Sequence, residues 1–217
     1  MSTEPTAAAV PGLFVAFEGG DGAGKSTQAR ALAEALTAAG IEVVLTREPG
    51  GTPAAEAIRD VVLTPQYAGL DARAEALLFA ASRGEHVARL VRPALERGAV
   101  VISDRYLDSS IAYQGIARGL GADVVAELSL WATRHLLPDL TVLLDVEAGA
   151  GLDRVTDPNR LEHEPTSFHA VVVEAFRDLA ARDPARYLVI PASGDRDAIA
   201  ALVLVRAREA LVAKAPS

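Results

Sequence analysis

Five short apolar runs divide the chain, and each is followed by a longer stretch with helical spacing. The runs cover residues 13–18, 41–46, 99–103, 140–146 and 187–190, and most are rich in Val, Ile and Leu. Continuous rather than alternating apolar character predicts strands buried on both faces, as in a parallel sheet covered by helices. Between the first two runs, residues 26–39 place Ala29, Leu32, Ala33 and Leu36 on one helical face, and Gly40 stands where such a helix stops. Further helices are predicted over 72–92, with Pro93 starting another turn, and over 123–135, 166–181 and 195–211. Strands alternating with helices make this an α/β chain with a sheet of about five parallel strands flanked by helices. No repeat or linker interrupts residues 12–212, so a single domain is expected. Residues 149–165 are polar and lose the helical period, which marks them as a mobile flap. Residues 1–11 have neither the basic start nor the apolar core of a signal peptide and are expected to be a flexible extension; 213–217 form a tail.

Composition narrows the function. The 217 residues carry a net charge of −8, which argues against a nucleic-acid-coating protein. With no cysteine, disulfides, zinc–thiolate centres and thiol nucleophiles are excluded. No apolar run approaches the ~20 residues of a membrane span. A cytoplasmic protein without nucleic-acid or membrane partners is the expectation. Lys25 and Lys214 are the sole lysines beside many arginines, so a lysine at 25 suggests a place where a guanidinium fork does not fit.

Lys25 closes Gly19-Gly20-Asp21-Gly22-Ala23-Gly24-Lys25-Ser26, a match to G-x-x-x-x-G-K-[ST] lying between a predicted strand and a predicted helix. The glycines let successive backbone N–H groups turn toward an anion, and the following helix adds its positive end. Lys25 supplies a point charge to β- and γ-phosphates, Ser26 suits a Mg²⁺ ligand, and Thr27 follows in the loop-to-helix junction. The motif predicts nucleotide binding. At the C-terminal end of the third run stands Asp104-Arg105-Tyr106. Ligands gather at the carboxyl ends of parallel strands, so Asp104 is a candidate metal ligand and Arg105 a candidate bridge between phosphoryl groups. A surface ion pair ending a strand is the plainer alternative.

FEGGDGAGKST, TREPGGT (46–52), ALLFAASR (76–83) and DRYLDSSIAYQG (104–115) occur in that order. The series resembles bacterial thymidylate kinases, which are P-loop nucleoside-monophosphate kinases, over nearly the whole chain. The resemblance implies a three-layer P-loop kinase fold with a mobile lid, a homodimer, and transfer of the ATP γ-phosphoryl to dTMP with Mg²⁺, in dTTP biosynthesis. It further implies that Phe79 stacks on the thymine ring, while Arg83, Ser110 and Gln114 face the base. By the same resemblance Arg105, with Ser109 nearby, holds the dTMP phosphate, and Tyr113 and Asp21 lie near the deoxyribose, Asp21 also near the metal. Arg47, Glu48, Pro49 and Arg59 would form the second wall of the monophosphate site. Without the family, core packing is the better reading of Phe79 at its helical spacing, and Tyr113 fits an interior aromatic.

In such kinases a catalytic arginine comes from the P-loop or from the lid. None of Gly20, Asp21, Gly22 and Ala23 is basic, so Arg154 and Arg160 are the lid candidates. Asn159-Arg160-Leu161-Glu162 is similar to an Asp-Arg-Ile-Glu lid signature, with Asn in place of Asp, and Ser82 replaces the usual acid before Arg83. His86, His135, His163 and His169 are scattered and receive no metal. Two alternatives to a dTMP kinase remain: a P-loop kinase for another nucleotide or a deoxynucleoside, and a P-loop ATPase switch.

Overall fold

The computed structural model describes residues 12–147, 149 and 159–214. The expected N-terminal extension, most of the expected lid and Arg154 lie outside them. Each apolar run contains a strand: β1 Phe14–Glu18, β2 Val43–Arg47, β3 Val100–Asp104, β4 Leu140–Asp145 and β5 Tyr187–Pro191. Among the described residues they form one parallel sheet in the order β2-β3-β1-β4-β5.

Both faces of β1 are covered, which explains its unbroken apolar run. Val15 and Phe17 pack with Leu32 and Leu36 of α1 (Lys25–Ala38) and with Ile199 and Val203 of α8 (Arg196–Lys214). Phe14 and Ala16 face the opposite layer, where Val87, Val91 and Ile111 lie. A third cluster joins Leu143 of β4 to Phe79, Tyr113 and Phe176. It links the layer to α7 (Thr166–Arg182).

The helices differ from expectation in instructive places. α2 (Pro53–Leu63) was not anticipated, although Thr52 Oγ1 caps it by accepting from Ala55 N at 3.3 Å and Pro53 occupies its first turn. The predicted 72–92 helix is α3 (Ala72–His86), then a π-helical turn Val87–Val91, then α4 (Arg92–Glu96). After β3 come α5 (Leu107–Ser110), a second π-helical stretch Ile111–Ala117 and α6 (Ala122–Ala132). π-Helical turns are local expansions of a helix, frequent at functional sites, and this one carries Tyr113 and Gln114. α8 runs through Lys214, whose Nζ donates to Asp139 Oδ2 at 2.6 Å and Gly12 O at 2.9 Å. Residues 213 and 214 are therefore helix rather than tail.

Candidate active site

The register Phe17↔Asp104 sets the ends of β1 and β3 side by side, so the glycine loop and the Asp104–Arg105 pair share the C-terminal edge of the sheet. Gly19, Gly22 and Gly24 all have positive φ. A Cβ on Gly19 would lie 2.4 Å from the Leu144 carbonyl oxygen, which requires glycine there. No side chain caps α1 and no acid sits in its first turn, leaving that positive helix end to an anion. Lys25, 7% exposed, folds back to donate to Gly19 O (3.0 Å) and Gly20 O (2.7 Å). Burial and the nearby Arg105 charge lower its pKa to about 8. Ser26 Oγ donates to Asp104 Oδ2 at the mouth of the loop.

Arg105 is the most constrained residue of the site. Its φ of 71° is left-handed, unusual for a side chain with a Cβ. Its N–H donates to Phe17 O (2.9 Å), and its carbonyl accepts from Ser103 Oγ (2.7 Å). The guanidinium reaches Asp21 Oδ1 at 2.5 Å, Gly19 O at 3.1 Å and Ser109 Oγ at 2.9 Å. Tyr113 OH donates to Asp21 Oδ2 at 2.8 Å. Burial raises the Asp21 pKa, but the charges of Arg105 and Lys25 outweigh it and hold the carboxyl below its ordinary value.

Glu18, at the end of β1, was not singled out by the sequence. It is fully buried and accepts from Tyr106 N (2.9 Å), Ser109 N (3.1 Å) and Ser109 Oγ (2.6 Å), so it fastens the turn that carries Arg105. Burial, then the neighbouring Asp108, pushes its pKa up to about 7. An acid closing an otherwise apolar strand was the available signal.

The second wall comes from the turn between β2 and α2. Arg59 Nη1 donates to Pro49 O at 2.8 Å, and Arg47 Nη2 to Glu56 Oε2 at 3.1 Å. Glu56 Oε1 accepts from Gly51 N at 2.8 Å. Gly51 has φ +88, and a Cβ on it would lie 2.6 Å from His86 Cδ2. Burial and the Arg47 charge both lower the Arg59 pKa, as expected where guanidinium groups crowd one another. Glu48 is buried and bridges Arg83 Nε (2.7 Å) to His86 Nδ1 (2.9 Å). Arg83 also donates to Ser129 Oγ, Tyr106 O and Ser110 Oγ. Four of its five N–H donors are thereby engaged. Ser82 instead donates to Ala55 O, so Arg83 is oriented by Glu48 rather than by its sequence neighbour.

These walls enclose a cleft of about 310 Å³. It runs from Lys25, Ser26 and Asp104, past Arg105 and the Arg47–Arg59 wall, to a recess lined by Phe79, Arg83, Ser110 and Gln114. Leu63, Tyr106, Asn159, Leu161 and Glu162 also line it and were missed. Thr27 is not on its wall; its N–H donates to Gly24 O at 3.1 Å.

Arg160 requires a correction. Expected at the phosphates, it is buried away from the cleft, with Nη1 2.7 Å from Glu75 Oε2 and with Nε and Nη2 donating to Val62 O at 3.0 and 2.9 Å. The cause is local. Asn159 Oδ1 accepts from Leu161 N (2.9 Å), Glu162 Oε2 accepts from Asn159 N (2.7 Å), and Arg160 N donates to Leu63 O (2.9 Å). This turn points Leu161 and Glu162 to the cleft and Arg160 to α2 and α3.

A glycine cradle with a buried lysine, an arginine-lined second anion site and an aromatic-walled recess together define a P-loop phosphotransferase with its own acceptor pocket. The protein-family model described as Thymidylate kinase matches residues 17–203. A thymidylate kinase of Clavibacter sepedonicus is 52% identical over 208 residues, covering 94% of this chain and 98% of that one. One of Leifsonia xyli subsp. xyli is 54% identical over 200 residues, covering 90% and 94%. The crystal structure of thymidylate kinase from Ehrlichia chaffeensis aligns with a TM-score of 0.75 at 35% identity, covering 92% of this chain and all of that one. The chain belongs to the thymidylate kinase family.

Proposed function

We propose that the protein transfers the γ-phosphoryl group of ATP to dTMP, giving dTDP and ADP. The observation that carries this reading is the convergence of Lys25, Arg105, Arg59 and Arg47 on one cleft that ends beside Phe79 and Arg83. The glycine loop and Lys25 hold the donor phosphates, and Arg105 meets the acceptor phosphate. Because Asp21 occupies Arg105 Nη2 at 2.5 Å, the incoming phosphate competes with a carboxylate for that donor. The acceptor oxygen is already ionised at neutral pH, so no general base is required, and positioning and charge neutralisation supply the catalysis. Arg154 is the remaining lid candidate for the transferring group.

Ser26 Oγ and Asp104 Oδ2 fit Mg²⁺, being hard oxygen donors already in contact at the mouth of the loop, with Asp21 on the same wall. That set leaves most of an octahedral shell to phosphate oxygens and water, the usual arrangement for this ion. When bound, Mg²⁺ would neutralise charge on the β- and γ-phosphates.

The fifth Arg83 donor suits thymine O4. A cytosine amino group would face that donor with another donor, so dCMP should be used at least ~10-fold less efficiently than dTMP. Lacking the 5-methyl group, dUMP forfeits roughly 1 kcal/mol of apolar burial and should fall between them. Purine monophosphates should be poorest. A coupled assay of ADP release with each monophosphate measures the series. Equal ATP hydrolysis with and without dTMP would favour a switch ATPase, and equal use of dCMP would remove the Arg83 assignment.

The active form is proposed to be a homodimer. Leu77 on α3, Val124 and Trp131 on α6, and Leu137 just beyond it are exposed, Trp131 at 76%. An apolar face of this kind on paired helices suits a second copy of the chain. Among the described residues no helix is long and apolar enough to cross a membrane. The absence of cysteine suits a reducing cytoplasm, where dTTP is made.

A further inference from the structure

Glu75 lies in the first turn of α3, fully buried beneath the recess end of the cleft. Its Oε1 accepts from Gln114 Nε2 at 2.9 Å and from Arg118 Nε at 3.4 Å. On the other side, Oε2 lies 2.7 Å from Arg160 Nη1 and 3.5 Å from Arg118 Nη2. Arg118 is held in turn by Glu164 at 2.6 Å. Two guanidinium groups thus fix a carboxylate against the back of a residue that lines the cleft.

The amide of Gln114 has a donor end and an acceptor end, whereas a carboxylate paired with arginines only accepts. Which way an amide points is settled by its hydrogen-bond partners. With Glu75 behind it, the NH2 group must face inward. Turning the amide over would set its carbonyl oxygen against a carboxylate and forfeit a charge-assisted bond. Among the described residues no donor is seen on Gln114 Oε1, and Gln114 shares the recess with Phe79 and Arg83. The acceptor end is therefore available to a ligand.

We propose that Glu75 is a positioning residue for base selection: it locks Gln114 so that Oε1 accepts from the N3–H of a thymine or uracil ring. Cytosine presents an acceptor at N3 and meets an acceptor, so rejection at N3 adds to rejection at the 4-position. Arg160 neutralises the buried Glu75 charge while Arg118 also holds the carboxylate, which gives the buried arginine a purpose away from the phosphates. The inference rests on the dTMP reading of the cleft.

The test is the ratio of kcat/KM for dTMP to that for dCMP. In Glu75→Gln the neighbouring amide can donate or accept, so Gln114 can turn over. The ratio should fall at least ~10-fold while the KM for ATP stays within about 2-fold. Arg160→Gln keeps the Glu75 acceptor and should hold the ratio within about 3-fold of the parent, whatever its stability. If Glu75→Gln does not fold because Arg160 is left without its partner, Glu75→Gln/Arg160→Gln removes that charge and carries the same expectation. A merely structural Glu75 would lower kcat/KM for both substrates together; an unchanged ratio in a folded variant overturns the proposal. The parent enzyme gives an independent reading with N3-methyl-dTMP, which has no N3–H. Its kcat/KM should drop at least ~10-fold, and unimpaired use would also overturn the proposal. A parent that fails to turn over dTMP at all overturns the functional reading instead.

Discussion

At the scale of single residues, Lys25 shows how tightly the cradle specifies its chemistry. Its ammonium sits between the Gly19 and Gly20 carbonyl oxygens, 3.0 and 2.7 Å away, in a nearly closed space. A planar guanidinium is wider and directs its donors in one plane. Lys25→Arg should therefore lower kcat at least ~10-fold, equivalent to about 1.4 kcal/mol, although the charge is kept. Steady-state kinetics at saturating ATP and dTMP measure it, and a variant turning over like the parent would refute this account of the loop. Residues of this kind were legible because their roles are written contiguously, as in the glycine motif and in Asp104-Arg105. Glu48 was read as pocket wall, and its hold on Arg83 and His86 emerges only from the fold. Arg160 was misread for the same reason. Its signature resembled a lid arginine, while its partner Glu75 lies on another helix, and long-range pairing leaves no local trace.

Among the elements, β1 carries the site and stores an electrostatic cost at its end. The Glu18 pKa is raised from 4.5 to about 7 by burial and by Asp108. Below pH 4.5 both folded and unfolded chains hold this proton, and its full contribution to stability is present. As pH rises from 4.5 through 7 the unfolded chain releases the proton first, so the native state binds more protons and stability falls. The loss amounts to at most roughly 3 kcal/mol. Glu18→Gln keeps an acceptor for the Tyr106 and Ser109 amides but cannot ionise. In urea unfolding at pH 5, 6, 7 and 8, the parent should lose stability relative to Glu18→Gln across that window; a difference independent of pH would contradict the assignment. The strands themselves were legible because burial on both faces leaves unbroken apolar runs. The missed α2 is short and partly exposed, so its period competes with a turn-rich neighbourhood. The π-helical turns at 87–91 and 111–117 could not be read at all. An expanded turn is fixed by packing against other elements, and its apolar spacing departs little from that of an α-helix.

On the scale of the whole molecule, a net charge of −8 coexists with a cleft lined by Lys25, Arg47, Arg59 and Arg105. With Arg83 they face Asp21, Glu48, Asp104 and Glu162 on the same walls, so the cleft keeps a small positive excess within an acidic molecule, which favours an anionic ligand there. The exposed apolar side chains of α3 and α6 are a further departure from a uniform surface. Trp131→Glu should shift the protein from dimer to monomer in sedimentation at micromolar concentration, because a charge would be buried within the proposed contact. A monomeric parent, or a variant that dimerises as well as the parent, would place the interface elsewhere.

Strand order also has a consequence for how the chain is made. β1 and the glycine loop leave the ribosome before the other four strands, yet β1 ends up in the middle of the sheet. Phe14 pairs with Val101 and Val15 with Leu140, partners that are synthesised much later. Until they arrive, both edges of a strand apolar in all but its last residue are bare, and the Leu144 carbonyl that hems in Gly19 does not yet exist. The nucleotide cradle is thus translated before the strands that shape it and is among the last parts to take shape. A chain that terminates before β4 lacks one side of the seat on which the glycine loop rests, and it displays an unpaired strand to chaperones and to other unfinished copies of itself.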